Sequence, residues 1–282
     1  MVDFEPTKDF SMPKAKGVTW TREHFLIALN LYCKLPFGQY DRKNPIIIDV
    51  ASRLGRTPSS LAMKLSNFAS LDPIHKARGV KGLSGATKQD RVMWNEFRSD
   101  IEVLGAESEQ LLHDLYTEDN DEEVDFLQRD NVRLEHSSVF LDLSAQTELV
   151  AVVKVRRGQQ FFRQTVLNAY GVRCCITGIN VPRLLVASHI KPWHDFPNER
   201  LQPRNGLCLS SLHDAAFDGG FITVDEQLRL VLSKRLKDYF PQPALEQSFV
   251  QYEGKPITKP NKIAEPEPAL LEYHRQVIFK EH

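Results

Sequence analysis

The stretch LLVASHIKPW (Leu184–Trp193), followed after a polar loop by NGLCLSSLHDAAFDGGFI (Asn205–Ile222), decides how the chain is read. Leu184–Ala187 is a short apolar run of strand character, and Pro192 ends ladder pairing just beyond it. His189 therefore falls where a strand hands over to a loop. Asn205-Gly206 is a turn signal, able to close a hairpin or an omega-like loop. His213 lies on a helix predicted from Leu212, Ala215, Ala216 and Phe217. A lone histidine on an apolar face is more often core than ligand. The order His, Asn, His across strand, loop and helix is much rarer by chance.

Working outward, FFRQTVLNAY (Phe161–Tyr170) is an amphipathic helix burying Phe161, Phe162, Val166, Leu167 and Tyr170, and CCITG follows it. Downstream, FITVD and LRLVLS are strand-like. Upstream, TEDNDEEVD (Thr117–Asp125) places six acids in nine residues, whose mutual repulsion predicts a linker rather than a core. Val139–Leu143 and Leu149–Val155 read as short strands or extended linker. The expected division is a helical domain over 1–116, an acidic linker over 117–150 and a second domain over 151–282.

The first block carries helix punctuation. Thr19 or Thr21 caps a helix with Phe25, Leu26, Leu29, Tyr32 and Cys33 at helical spacing, ended by Pro36 and Gly38. A second helix starts at Asn44-Pro45, buries Ile47, Ile48, Ala51 and Leu54, and stops at Gly55. After RTPSS a third buries Leu61, Met63, Leu65 and Phe68. IIDVASRLGRTPSSLAMKLSNF (Ile47–Phe68) resembles the helix-turn-helix and Myb-like families. That resemblance would turn Ser59, Ser60 and Lys64 toward phosphates or bases and set Arg53 and Arg56 on the DNA backbone. An ordinary three-helix bundle uses the same glycine turn merely to reverse direction. Lys76, Arg78, Lys81 and Lys88 lie in a Gly-rich stretch suited to a phosphate-following loop.

The net charge of −1 conceals strong segregation. Val18–Arg91 holds twelve basic residues against five acids, and Ala151–Arg204 holds nine against two. Between them, Thr117–Val150 holds ten acids against two arginines. Two basic blocks around an acidic one suit two surfaces for a polyanion, although solvated charge on unrelated faces gives the same count. No apolar run approaches the roughly 18 residues of a membrane span. The acidic opening MVDFEPTKDF has no leader pattern, and the adjacent Cys174 and Cys175 suit a reducing compartment. The expectation is a soluble, cytoplasmic chain.

Arg163 to Leu232 resembles the HNH endonuclease family, with its ββα-metal (His-Me finger) fold. The matching elements are Val166-Leu167 with Tyr170, Cys174 with Thr177-Gly178, Ala187 with His189-Ile190, and Pro192-Trp193. They continue as Asn205-Gly206-Leu207, then His213 with Phe217-Asp218 and Gly220. YEGKPI and LLEYHRQVIF near the end are similar to that subgroup's usual ending. The implied fold class is α+β, an N-terminal helix-turn-helix-like domain followed by a ββα nuclease domain.

By resemblance, His189 is the general base and His213 the metal-binding histidine. Asn205 either orients the catalytic loop or offers its carbonyl oxygen to the metal, the former being preferred. A histidine suits the base because its ordinary pKa of about 6.5 lets it take a proton near neutrality. Ser188 stands where many relatives have a second metal ligand, and Asp218 is the obvious substitute. The implied cofactor is a divalent cation, Mg2+ first, with Mn2+ or another ion as alternatives. No structural zinc is expected, because Thr177, Leu209 and Leu212 replace three of the four usual cysteines beside Cys174. Lys191, Arg200 and Arg204 lie near enough to the motif to hold DNA phosphates.

The reading is a metal-dependent DNA endonuclease, a phosphodiester hydrolase with a basic targeting domain. Its two-part layout suits a bacterial restriction or anti-phage nuclease, including the modification-dependent kind, and a homodimer would serve double-strand cleavage. Two alternatives stay open: a nuclease effector whose first domain binds a protein or signal, and a DNA-binding regulator with a degenerate HNH fold.

Overall fold

A computed structural model describes residues 19–77, 85–117, 122–127, 133–136, 146–193, 196–261 and 264–280. The chain is α+β, with six helices before the first strand and three two-stranded antiparallel sheets among the described residues. None of its described helices is long and apolar enough to cross a membrane.

Helix α1 (Arg22–Lys34) starts at Thr21, whose side chain accepts the His24 N–H at 3.3 Å, and buries Phe25, Leu26, Leu29 and Tyr32. Asn44 caps α2 (Pro45–Arg53) through the N–H groups of Ile46 and Ile47. Gly55 follows at φ +63°, the left-handed position that glycine adopts without a Cβ penalty. Thr57 then caps α3 (Pro58–Leu71). The order and turn expected for this block are present. Its side chains are disposed differently: Met63 and Ile48, expected in the core, are exposed.

The larger surprise is Lys64. Its side chain is buried, paired to the buried Asp90 carboxylate, and lies over the rings of Trp20 and Phe25. Asp90 belongs to α5 (Lys88–Ser99), where it completes a reciprocal cap with Thr87. Lys64 is therefore a core ion pair and is not presented to DNA. Arg56 is also engaged, with its guanidinium 4.2 Å over Trp20 and donating to the Thr19 carbonyl at 2.8 Å. Arg53 pairs with Asp49 and lies 4.0 Å over Tyr116. The outward side of α3 offers Ser59, Met63 and the half-buried Ser60, with no cation. Lys64→Ala is expected to strand a buried carboxylate and cost about 3–5 kcal/mol of stability. Denaturant unfolding of the full chain measures this, and an unchanged midpoint would return Lys64 to the surface.

After α4 (Pro73–Ala77) and α5, α6 (Ile101–Tyr116) ends at the acidic run. That run is not a plain linker. Strand β1 (Glu122–Asp125) pairs antiparallel with β2 (Arg133–His136), and Val124, Phe126 and Leu127 are buried. Gln160 and Gln164 donate to the Val124 carbonyl at 3.2 and 2.6 Å. Local acid repulsion is overcome because this apolar triplet has a receiving surface, and Arg156 meets Glu123 at 3.4 Å. Phe126 sits against Tyr116 of α6 and under Lys34 of α1, while the polar contacts come from α7 (Gln146–Ala169), which is helical across Leu149–Val155 where strand or extended linker was expected. Val139–Leu143, Arg78 and Lys81 lie outside the described residues.

Helix α7 also packs along α6 and α1, and the buried residues on both sides of 117–150 belong to one hydrophobic cluster. Gly105 of α6 lets the Phe161 ring close in: a Cβ there would stand 3.1 Å from it. A buried pair, Lys34 Nζ to Glu109 at 2.6 Å, joins α1 to α6, and Asn30 donates to the same carboxylate at 2.8 Å. The nuclease-like half then runs β3 (Leu185–His189), β4 (Gly206–Ser210), α8 (Ser211–Asp218), β5 (Ile222–Val224) and β6 (Leu230–Leu232). Short helices α9 (Lys234–Lys237), α10 (Pro243–Ser248) and α11 (Pro268–Tyr273) complete the fold.

Candidate active site

Strands β3 and β4 pair in a register that sets His189 opposite Gly206. Gly206 is in extended backbone, φ −128°, so it makes no turn. It is glycine because a Cβ would collide with Val166 and Phe162 of α7. This close approach brings α7 onto the end of β3, and the His189 ring stacks on Phe162 with centroids 3.9 Å apart.

The loop 190–205 is tied down by its last residue. Buried Asn205 accepts the Lys191 N–H through Oδ1 at 2.8 Å. Its Nδ2 donates to the carbonyls of Glu199 at 3.0 Å and Lys191 at 3.3 Å. The side-chain amide is thus spent on holding the loop. One product is the position of the Arg200 carbonyl, 2.9 Å from His189 Nε2. A carbonyl only accepts, so Nε2 carries the proton and Nδ1 keeps a lone pair. No hydrogen bond to Nδ1 occurs among the described residues, and His189 lines a cleft of about 270 Å³ with Gln159, Phe162, Arg163 and Trp193. Burial lowers the His189 pKa below its ordinary value, and the Arg200 contact partly opposes that, so the imidazole is neutral at pH 7.

His213 points elsewhere. It is buried, with Nδ1 2.8 Å from Ser210 Oγ and Nε2 2.9 Å from the Ser248 carbonyl, and its ring packs 4.9 Å from Phe249. Nε2–H donates to the Ser248 carbonyl and the Nδ1 lone pair accepts from the Ser210 hydroxyl, so His213 is held by core contacts, and a metal at Nδ1 would take the place of Ser210. Helical period explains the difference. His213 and Phe217 share the buried face of α8, whereas Asp214 and Asp218 share the adjacent one.

The Asp214 carboxylate stands near enough to Asp218 to act on it. Asp218 reaches solvent, yet the surrounding protein, then the neighbouring Asp214 carboxylate, push it up to about 6. Desolvation raises Asp214 as well, against a lowering contribution from the Ser188 hydroxyl. Ser188 Oγ is buried and has no hydrogen bond of full geometry. Repelling carboxyls beside a buried hydroxyl form a hard-oxygen donor set lacking positive charge. That set fits a magnesium-like cation, which takes one or two protein carboxylates and fills its shell with water and phosphate oxygens. No group of three or more His, Cys, Asp and Glu able to hold a metal occurs among the described residues. Asp214 was missed in the sequence, although it stands four residues before Asp218.

The other expected phosphate hands are also placed. Arg200 donates to the Trp193 carbonyl at 2.7 Å. Lys191 pairs with Glu199 at 3.3 Å, and Arg204 donates to the Glu265 carbonyl at 3.1 Å. Arg163, not singled out before, lines the His189 cleft and donates to the Leu185 and Pro182 carbonyls at 2.7 and 3.1 Å. Cys174, Cys175 and Cys208 are buried free thiols; Cys174 accepts the Thr177 N–H at 3.5 Å.

Residues 174–225 match the family model described as HNH endonuclease. The chain carries an HNH endonuclease domain. No curated protein matches the chain. The match encloses β3, β4 and α8, hence His189, Asn205, His213, Asp214 and Asp218, while α7 and the last helices of the HNH half lie outside it.

Those last helices steady the C-terminal end of α8. His274 is fully buried, stacks on Phe217 at 3.6 Å, and hydrogen-bonds to the Phe217 carbonyl at 3.1 Å and Thr223 Oγ1 at 2.9 Å. Burial drops its pKa to about 4. The unfolded chain's imidazole takes a proton below about pH 6.5, whereas the folded one stays neutral until about 4. Stability is therefore full above pH 6.5 and falls as pH drops through that window, by about 3 kcal/mol across it. Unfolding free energies at pH 7 and pH 5 check this, and a His274→Asn variant should show a shallower dependence.

Proposed function

We propose that the chain is a divalent-metal-dependent DNA endonuclease in which the helical unit selects the target and the HNH domain cuts. The observation that carries this reading is His189: Nε2 committed to the Arg200 carbonyl, Nδ1 without a hydrogen bond among the described residues, and the ring lining a cleft. Nδ1 takes the proton of a water whose oxygen bonds to phosphorus, and the P–O3′ bond breaks with its electron pair leaving on the 3′ oxygen, which takes a proton from solvent water. The ends are 5′-phosphate and 3′-hydroxyl. The Arg200 carbonyl steadies the imidazolium formed, and Asn205 keeps that carbonyl in place by holding the loop. Arg163 lines the same cleft, and its guanidinium, held by the Leu185 and Pro182 carbonyls, sets a fixed positive charge beside a non-bridging phosphate oxygen. Asp214 and Asp218 would hold the cation, with Ser188 behind them, and the cation supplies positive charge for the departing oxygen.

Phosphate contacts position an enzyme and base contacts specify it, which gives the helical unit its role. The linkage between the two halves supports that division: Glu102 of α6 accepts the Leu201 N–H at 2.7 Å, bracing the catalytic loop. This arrangement suits a restriction or anti-phage nuclease, including one that senses base modification. One site cuts one strand, so double-strand breaks take two chains.

The test is digestion of modified and unmodified phage DNA by the purified chain with Mg2+, with the ends sequenced. Fragments carrying 5′-phosphates support the reading, and a bias toward one DNA assigns the modification preference. Intact DNA throughout overturns it.

A further inference from the structure

The cations expected to grip DNA are mostly engaged within the protein: Lys64 is buried, while Arg53, Arg56, Lys191, Arg200 and Arg204 have intramolecular partners. One helix is different. Helix α5 buries Met93, Trp94 and Phe97, and Asp90 is neutralised by Lys64. On its outward side stand Lys88, Arg91, Asn95 and Arg98, all exposed. Their spacing of three, four and three residues confines them to an arc of about 80° and a rise of about 15 Å. Lys88, Arg91 and Arg98 form no ion pair among the described residues. The one acid exposed on α5, Glu96, is held by Arg22 at 2.7 Å.

The stripe also leads somewhere. Arg98, 5.6 Å over Trp94, opens into a cavity of about 630 Å³ that it shares with Lys191, Glu199 and Arg204 of the HNH domain's catalytic loop. A single-sign row of unpaired cations running into the nuclease loop has the form of a phosphate track.

Resting on the nuclease reading, we infer that the outward face of α5, through Lys88, Arg91 and Arg98, is where the helical unit grips the DNA backbone. Three phosphate contacts release about three counterions, so their loss lowers the slope of log affinity against log salt by about 2.7. Between 50 and 200 mM salt, that is about forty-fold less weakening.

The experiment uses the full chain with His189→Ala, so that DNA stays intact, and a fluorescent 30-base-pair duplex titrated across that salt range. Lys88→Gln, Arg91→Gln and Arg98→Gln are added together, and a thermal melt verifies folding of the exposed-site variant. A control removes the same charge from α9 through Lys234→Gln, Arg235→Gln and Lys237→Gln. The expected result is a shallower salt slope and weaker binding for the α5 variant, with a much smaller change for the control. An unchanged α5 slope, or an equal loss in the control, overturns the assignment while leaving the nuclease reading standing. A parent that does not bind duplex overturns both.

Discussion

Replacing His189 by alanine lowers the cleavage rate about a hundred- to ten-thousand-fold, the range lost with a general base. Duplex affinity stays close to that of the parent, because the imidazole makes no contact with ground-state phosphate in this account. His189→Gln should be nearly as inactive: an amide can still reach the Arg200 carbonyl, but it cannot take a proton at neutral pH. Single-turnover cleavage beside equilibrium binding separates the two effects. A variant cutting at near the parental rate would remove His189 from the reaction.

The second large effect belongs to α8. Asp214→Asn with Asp218→Asn removes the paired carboxylates and is expected to reduce metal-dependent cleavage at least a hundred-fold, with a steeper demand for Mg2+ in either single variant. Relief of the repulsion between Asp214 and Asp218 should leave the folded state at least as stable as the parent when metal is absent. His213→Ala behaves in the opposite way. It leaves the Ser248 carbonyl and Ser210 hydroxyl without their partner and opens a gap against Phe249, costing about 1–3 kcal/mol from the lost hydrogen bonding. Its cleavage rate, measured well below the melting temperature, should remain near the parent's. If His213→Ala is inactive and fully folded while the aspartate variants cut normally, the metal side of α8 has been read one residue out.

That one-residue difference shows where a sequence is readable and where it is not. The strand, loop and helix around His189 were legible because short-range rules govern them: an apolar run, a proline stop, a capped helix. Thr21, Asn44 and Gly55 likewise mark helix ends by chemistry confined to a few neighbouring residues. The motif His-Asp-x-x-Phe-Asp is legible as a pattern, but which of its side chains turns toward the core is not. Only the direction of α8 against the segment at Ser248 decides that His213 turns inward and Asp214 toward Ser188.

Long-range partners explain the other differences. Lys64 looks like a surface cation because nothing nearby neutralises it, yet its partner Asp90 arrives 26 positions later from a helix cap. The acidic run looks like a linker because charge density is a local count, whereas Val124 and Phe126 are buried against partners on α1, α6 and α7 that only the fold supplies. Gly206 was read as a turn and serves instead as a clearance for Val166 and Phe162.

The most direct test of the account is the conversion of supercoiled plasmid into nicked circle by the purified full chain, with Mg2+ and then with a chelator in excess. The account predicts nicked circle that accumulates with Mg2+, stops on chelation, and is absent with His189→Ala under the same conditions. Nicking that persists in chelator, or equal nicking by His189→Ala, would contradict it.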